Sequence, residues 1–406
     1  MHVLFVEPKF PYNQRQFVRG LHSVGARVTG IGEAPIEALD PELKGWHHGY
    51  EQVRSVVDEG ALFEAVRRVQ AREWVDRIEA TVEAHILACA RIREECGIPG
   101  TTVRTAWLCR DKPAMKEALR EAGIPTAASR GVSTAQELRM FAAEIGYPVI
   151  LKPRSGAGAA GTSRVSNERE LESAIAEYGL DRGASVAVEE FVEGHEGFYD
   201  TITIDGKVVH EFVSHYYPNV LEAMRTRWIS PQILTTNRID AGSYSELKAL
   251  GLKVVQALGI GTSATHMEWF FGPKGLKFSE IGCRPPGVGV WDLYAAANDF
   301  DIYREWAAAV VHGKPSQSLS RRYSAGMINL RPQRDGRITG YQGIDEVERA
   351  YGEWILDSHL PPPGTPTHPV AAGYMANAWI RMRQPVYDEM RLMIDVICRT
   401  VNVLAR

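Results

Sequence analysis

His266-Met-Glu268-Trp-Phe-Phe271, Gly272-Pro-Lys-Gly275 and Leu276-Lys-Phe-Ser-Glu280-Ile-Gly282-Cys-Arg284-Pro-Pro-Gly287 form the stretch on which the fold turns. Aromatic and apolar residues flank a Gly-Pro-Lys-Gly turn, the pattern of a β-hairpin. If Phe271 pairs with Lys277, Glu268 falls opposite Glu280 with Cβ atoms about 5 Å apart, an arrangement that repels unless a cation sits between them. Such a pair suits Mg²⁺, which takes one or two protein carboxylates and completes its shell with phosphate and water oxygens. Two ions about 3.5–4 Å apart would fit as well. On this segment alone, a register that leaves both glutamates on an exposed hairpin stays open.

Two upstream segments point the same way. In Tyr147-Pro-Val-Ile-Leu-Lys152-Pro-Arg-Ser-Gly156-Ala-Gly158-Ala-Ala-Gly161 a lysine ends an apolar strand and a glycine-rich turn follows at once. That order brings an ammonium and several backbone N–H groups around one phosphate. It is neither a Walker A loop nor a helix-opening glycine motif, and a plain flexible hairpin is the competing reading. In Val188-Glu189-Glu190-Phe191-Val192-Glu193-Gly194-His195-Glu196 strand alternation leaves neither face consistently apolar. An edge backbone there could pair with an adenine ring, with one carboxylate for its amino group and another for the ribose; a solvated acidic connector is the alternative.

Around these segments the pattern is α/β first and α+β afterwards. Strands are expected over His2–Val6 and Arg27–Gly32, and helices over Gln14–Val24, Ala61–Arg72 and Ala84–Cys96. They make a small doubly wound parallel sheet over residues 1–105. Asp111 caps a helix Lys112–Ala122 that ends at Gly123. Strands follow over Val149–Lys152, Ser185–Phe191, Phe198–Ile204 and Val208–Val213, with Asp205-Gly206 as a hairpin turn. A central region over 106–320, with a lid at about 125–192, and a small C-terminal subdomain over 321–406 complete the division. That last part holds strands Ala325–Leu330 and Ala371–Ile380 and a helix Pro385–Arg399.

Composition excludes several classes. With 406 residues, 45% hydrophobic and 24% charged, the chain is long enough for more than one compact core and average for a folded protein. A net charge of −4 gives no basic footprint for nucleic acid. Glu7-Pro8 stops the opening apolar run short of a signal peptide, and no stretch approaches a membrane span, so a cytoplasmic, membrane-free protein is expected. The five cysteines lack Cys-x-x-Cys spacing and read as reduced thiols.

In their order and approximate spacing the three segments resemble the ATP-grasp superfamily over about residues 105–300. The likeness extends to carboxylate–amine ligases, biotin carboxylase and carbamoyl-phosphate synthetase. Asp111-Lys112-Pro-Ala-Met-Lys looks like the family's Asp-Lys helix. The resemblance implies an ATP-grasp fold with ATP and Mg²⁺ (or Mn²⁺) as cofactors. By it, Lys112 and Lys152 hold phosphates, and Gly156, Gly158 and Gly161 form the phosphate lid. Glu189 takes the adenine amino group, the Glu190 and Val192 backbones complete the adenine contacts, and Glu196 takes the ribose. Glu268 and Glu280 are metal ligands, and Arg284 steadies a carboxylate or acyl phosphate.

His266, two residues before the first metal glutamate, together with Arg-Pro-Pro-Gly after the second, looks like the L-amino-acid ligase branch and marks His266 and Arg284 as substrate-side residues. Many members carry Asn where Gly282 stands, which implies a weaker or water-bridged second metal. The implied activity is ADP-forming condensation of a carboxylic acid with an amine, amino acids being the expected partners, and a homodimer is allowed. A bicarbonate-activating carboxylase and a non-catalytic nucleotide-binding protein are the alternatives. For the acceptor side, His215, Tyr216, Arg225 and Arg227 are candidates, with a surface loop as an equal reading.

Overall fold

A computed structural model of the chain describes residues 1–154, 161–287, 289–370 and 376–406. Its first layer is built on β1 (His2–Val6), which is buried along its whole length. With β2 (Arg27–Gly32), β3 (Gly49–Gln52) and β4 (Arg77–Glu79) it forms a parallel sheet in the order β3-β2-β1-β4. Strands buried on both faces need cover on both. Helices Glu59–Gln70 and Ile86–Cys96 supply one cover through Leu62, Val66, Cys89 and Ile92. Helix Gln14–Ser23 supplies the other, and its Phe17 and Leu21 share a core with Trp306 of helix Ile302–His312 and with Phe198 and Ile202. A common core, not a linker, therefore joins this layer to the rest.

β5 (Ser129–Val132), β6 (Val149–Pro153), β7 (Ser163–Val165) and β8 (Val186–Glu190) form a second, antiparallel sheet in the order β5-β8-β6-β7. Helices Ala135–Ile145 and Glu168–Tyr178 back it with Leu138, Phe141, Leu171 and Ile175. One expectation is corrected here. β8 is not an edge, because β5 pairs with it on one side and β6 on the other. Val186, Ala187 and Val188 are all buried, as a central strand requires.

The largest sheet is antiparallel and eight-stranded. It contains β9 (His195–Ile204), β10 (Lys207–Tyr217), β11 (Gln232–Thr235), β12 (Ser263–Gly272), β13 (Gly275–Gly282) and β14 (Ser324–Leu330). Past β15 (Ile338–Gln342), β16 (Ile355–His359) and β17 (Ala378–Gln384) complete it, in the order β13-β12-β9-β10-β11-β14-β17-β16. Asp205 and Gly206, at φ 49° and 76°, make the tight turn between β9 and β10, as a two-residue hairpin with positive φ at both positions demands.

Strands from residue 324 onward thus extend the central sheet. Among the described residues there, only β15 and β18 (Asn402–Ala405) pair apart from it. Helix Tyr387–Thr400 packs beneath through Met390, Ile394 and Ile397. The strand expected over Ala371–Ile380 begins at Ala378, and Gly373-Tyr374-Met375 lie outside the described residues.

The hairpin β12–β13 sets Glu268 opposite Glu280. Near the turn, however, Phe271 pairs with Leu276 and not with Lys277. Ser279 is the extra residue between Phe278 and Glu280, a β-bulge that shifts the register by one just before the glutamates. No described helix is long and apolar enough to cross a membrane.

Candidate active site

Between the second sheet and the central one lies a cavity of about 430 Å³, with Lys112, Lys152, Glu189, Glu196, Glu268 and Glu280 in its wall. Local structure aims the lysines at it. The Asp111 side chain caps helix Lys112–Glu121 by accepting from the Ala114 N–H at 3.0 Å. Arg154, next after β6, grips the same carboxylate with two bonds of 3.0 Å. The Lys112 N–H also donates to the Arg154 carbonyl at 3.0 Å. The start of the helix and the end of β6 are thereby fastened together, and their lysines face one another.

At the centre the Glu189 carboxylate receives two buried ammoniums through one oxygen, Lys116 Nζ at 2.7 Å and Lys152 Nζ at 2.8 Å. Burial alone would raise the Glu189 carboxyl, but these charges outweigh it and hold the group at about 2. Its other oxygen, Oε1, is buried without a hydrogen-bond partner among the described residues. Burial brings Lys116 down to about 8 against the pull of Glu189. Lys152 moves the other way, because Glu189 and then Glu280 outweigh its desolvation. Glu280 lies 3.4 Å from Lys112 Nζ and 4.0 Å from Lys152 Nζ. Its carboxyl is held below the usual range by those lysines despite burial.

Carboxylates crowd the next stretch of wall. Glu196, buried on β9, accepts from the Val220 N–H at 2.7 Å, yet burial and then the neighbouring Glu268 push its carboxyl up to about 8. Glu190 is half-buried at the rim, accepts from the Ala128 N–H at 3.2 Å and forms an ion pair with Lys274. Val192 lines the cavity beside it. Gly161 lies just outside, its carbonyl accepting from the Tyr178 hydroxyl at 2.5 Å. Gly156 and Gly158 lie outside the described residues.

His266 and Arg284 are not in the wall of this cavity. They stand beyond the glutamate pair, toward the N-terminal layer. His266 Nδ1 lies 2.8 Å from Asp200 Oδ1, and the Tyr294 hydroxyl donates to Asp200 Oδ2 at 2.6 Å. Burial opposes a charge on His266, but Asp200 outweighs it and raises the imidazole to about 9. His266 Nε2 then lies 3.7 Å from Glu268 Oε1. Arg284 Nε donates to Glu83 Oε2 at 2.7 Å.

Of the acceptor-side candidates only Arg225 lines the cavity. Tyr216 is packed in the core, 4.9 Å from the Phe198 ring. His215 points to the opposite face of the sheet, where it meets His195. Arg227 pairs with Asp335 on the surface side. Sequence reasoning missed Lys116, Asp200 and Glu83. Lys116 was within reach, since it follows Lys112 by one helical turn. Asp200 shares a strand face with Glu196 through period-two alternation.

The donor set fits a magnesium nucleotide. Lysines converge on one wall, a buried carboxylate oxygen has no hydrogen-bond partner among the described residues, and Glu268 and Glu280 face one another across the hairpin. Among the described residues no group of three or more His, Cys, Asp or Glu side chains could hold a metal ion on its own. Two carboxylates with phosphate and water oxygens are the set Mg²⁺ takes alongside nucleotides.

Comparison with known proteins agrees in kind. Residues 117–300 match the family described as ATP-grasp domain. The L-arginine-specific L-amino acid ligase of Bacillus subtilis is 28% identical over 292 residues, which is 70% of this chain and 69% of that protein. The alanine–anticapsin ligase of Bacillus subtilis is 26% identical over 238 residues, 52% of this chain and 48% of that protein, so the match spans about half its length. The crystal structure of an L-amino acid ligase from Bacillus licheniformis superposes with a TM-score of 0.78 at 18% identity, covering 100% of this chain and 98% of that one, and shares its fold.

Proposed function

We propose, on the premise of the ATP-grasp domain that residues 117–300 match, that the chain is an ADP-forming ligase which activates a carboxylic acid as an acyl phosphate and joins it to an amine. One observation carries the reading: Lys112, Lys116 and Lys152 converge with Glu189 and Glu280 on a single buried cavity wall. No fold requires that much paired and excess charge in one place, since desolvating it is costly.

A carboxylate is a poor electrophile and its hydroxide a poor leaving group, so direct amide formation is slow. In the proposed reaction a carboxylate oxygen of the acid attacks the γ-phosphorus, and the bond from phosphorus to the ADP oxygen breaks. The amine then attacks the acyl carbon, the bond to phosphate breaks, and the amine proton passes to solvent. Lys112 and Lys152 would hold the transferring phosphoryl oxygens, an electrostatic and positional role that demands no covalent chemistry of the protein. Glu268 and Glu280 would hold Mg²⁺, which neutralises phosphate charge when bound. Glu189 Oε1 is an acceptor suited to the adenine amino group, and Glu196 to the ribose. His266 and Arg284, past the glutamates, suit the acid.

The reading is tested by profiling ADP release over pairs of amino acids, with the acid labelled by ¹⁸O in its carboxylate. ADP formation that needs both partners, with one label passing into inorganic phosphate, is expected. Label in AMP would replace phosphorylation by adenylation. Release supported by bicarbonate in place of the organic acid would make the protein a carboxylase.

A further inference from the structure

Gly282 stands two residues after Glu280, and the space beside its backbone is occupied by a residue from the N-terminal layer. A Cβ added at Gly282 would lie 3.3 Å from Glu83 Oε2 and 3.4 Å from Arg284 Cγ. Glu83 opens a short 3₁₀ turn, Glu83–His85, in the N-terminal layer just before helix Ile86–Cys96. Its carboxylate reaches across to Arg284 Nε at 2.7 Å. On the other side, Arg110 Nη1 donates to the Glu83 carbonyl at 3.0 Å, and Arg110 Nε lies 3.8 Å from Glu83 Oε1. Glu83 is thus held between two guanidinium groups. A longer side chain at 282 would meet its carboxylate within a few tenths of an ångström of contact.

We propose that Glu83 is the positioning residue for Arg284, and that glycine at 282 is the space that admits it. The inference rests on the ligase reading for what Arg284 does, and on geometry alone for how it is held. Occupying Nε has a consequence for the acid. Arg284 Nη1 also donates to the Pro285 carbonyl at 3.0 Å, so protein takes one donor on each edge of the guanidinium, and Nη2 with the second N–H of Nη1 is left for an incoming carboxylate. The N-terminal layer would thereby set the orientation of the acid without touching it.

Glu83→Ala, Glu83→Asp and Gly282→Asn test this with two readouts. The first is the rate at which phenylglyoxal modifies Arg284, followed by peptide mapping of the full-length protein. Modification should be slow in the parent, several-fold faster in Glu83→Ala and Gly282→Asn, and intermediate in Glu83→Asp. The second is kinetic. KM for the acid should rise about tenfold in Glu83→Ala and Gly282→Asn, the cost of one misaligned charged hydrogen bond, with KM for ATP unchanged. The double variant should be no worse than Gly282→Asn alone, because both changes disable one device. Unchanged labelling of Arg284 in Glu83→Ala overturns the proposal, as does a rise in KM for ATP equal to that for the acid. If no acid and amine pair supports ADP release in the parent, the ligase reading fails, while the labelling still decides whether Glu83 holds Arg284.

Discussion

The two faces of β9 bury polar groups in opposite ways. On one face His195 Nε2 lies 2.9 Å from His215 Nδ1, and His215 Nε2 lies 2.9 Å from the Tyr244 hydroxyl. Burial pushes His215 down to about 3 and lowers His195 as well, so both imidazoles are neutral and the row of contacts ends on the Tyr244 hydroxyl. Only Trp269 Nε1 stays without a partner there among the described residues. On the other face Glu196 and Glu268, with Glu280 one strand further, gather more carboxylates than their immediate neighbours neutralise, and Glu196 is pushed up to about 8. Polar burial that serves the fold is neutral and nearly saturated from within. Polar burial that serves a ligand keeps an excess of charge and an unmet acceptor such as Glu189 Oε1.

The largest effect that should separate the faces is on turnover. Glu280→Gln keeps side-chain volume and removes the charge that faces Glu268, Lys112 and Lys152. It should lower kcat by about 10²–10³-fold, the scale of losing one preorganised electrostatic contact in a site of this kind. Its thermal midpoint should move little. His215→Gln should leave kcat unchanged. Steady-state ADP release checks both, and comparable losses in the two variants would dissolve the distinction between the faces.

Lys116 tests where the boundary between the two kinds of burial runs. It lines the cavity yet is 1% exposed and bound to Glu189, so it shares features of both. Lys116→Met should destabilise the protein by about 3 kcal/mol, less than the full cost of an orphaned buried charge because Lys152 still faces Glu189. Adding Glu189→Gln should recover part of that loss, and urea midpoints measure it. If the double variant is less stable than Lys116→Met, the pair is not a compensated unit.

What could be read from the sequence follows from how local each contact is. Lys152 at a strand end, Glu268 and Glu280 across a hairpin, and the Asp111 cap before Lys112 are all set by residues within a few positions of one another. The Phe271–Lys277 pairing was misjudged because the bulge at Ser279 depends on how β13 meets its neighbours, and no turn rule reveals it. Grouping His215 and Tyr216 with Arg225 and Arg227 hides the fact that the first two lie near the end of β10, whose alternation turns His215 away from the cavity. β8 looked like an edge because its partners β5 and β6 are far from it in sequence. Glu83 has no local signal at all, since its contact with Arg284 spans 201 positions and exists only once the N-terminal layer has packed.

The smallest effect is also the most discriminating, because the two faces should respond to acid with opposite signs. His215 is held at about 3 in the folded protein against 6.5 when unfolded, so between those values the unfolded chain binds the extra proton and acidification favours unfolding. Glu196 is held at about 8 against 4.5, so in that window the folded protein binds the extra proton and acidification favours folding. Between pH 7 and pH 5 each should contribute about 2 kcal/mol, at 1.36 kcal/mol per pKa unit, and the two largely cancel in the parent. His215→Gln should therefore gain stability on acidification relative to the parent, and Glu196→Gln should lose it. Urea midpoints across that range, with EDTA present to keep divalent ions away from the carboxylates, separate the cases. Parallel curves for both variants would mean that the charge on each face is balanced by neighbours, and that the contrast between a closed network and an open one does not hold for this protein.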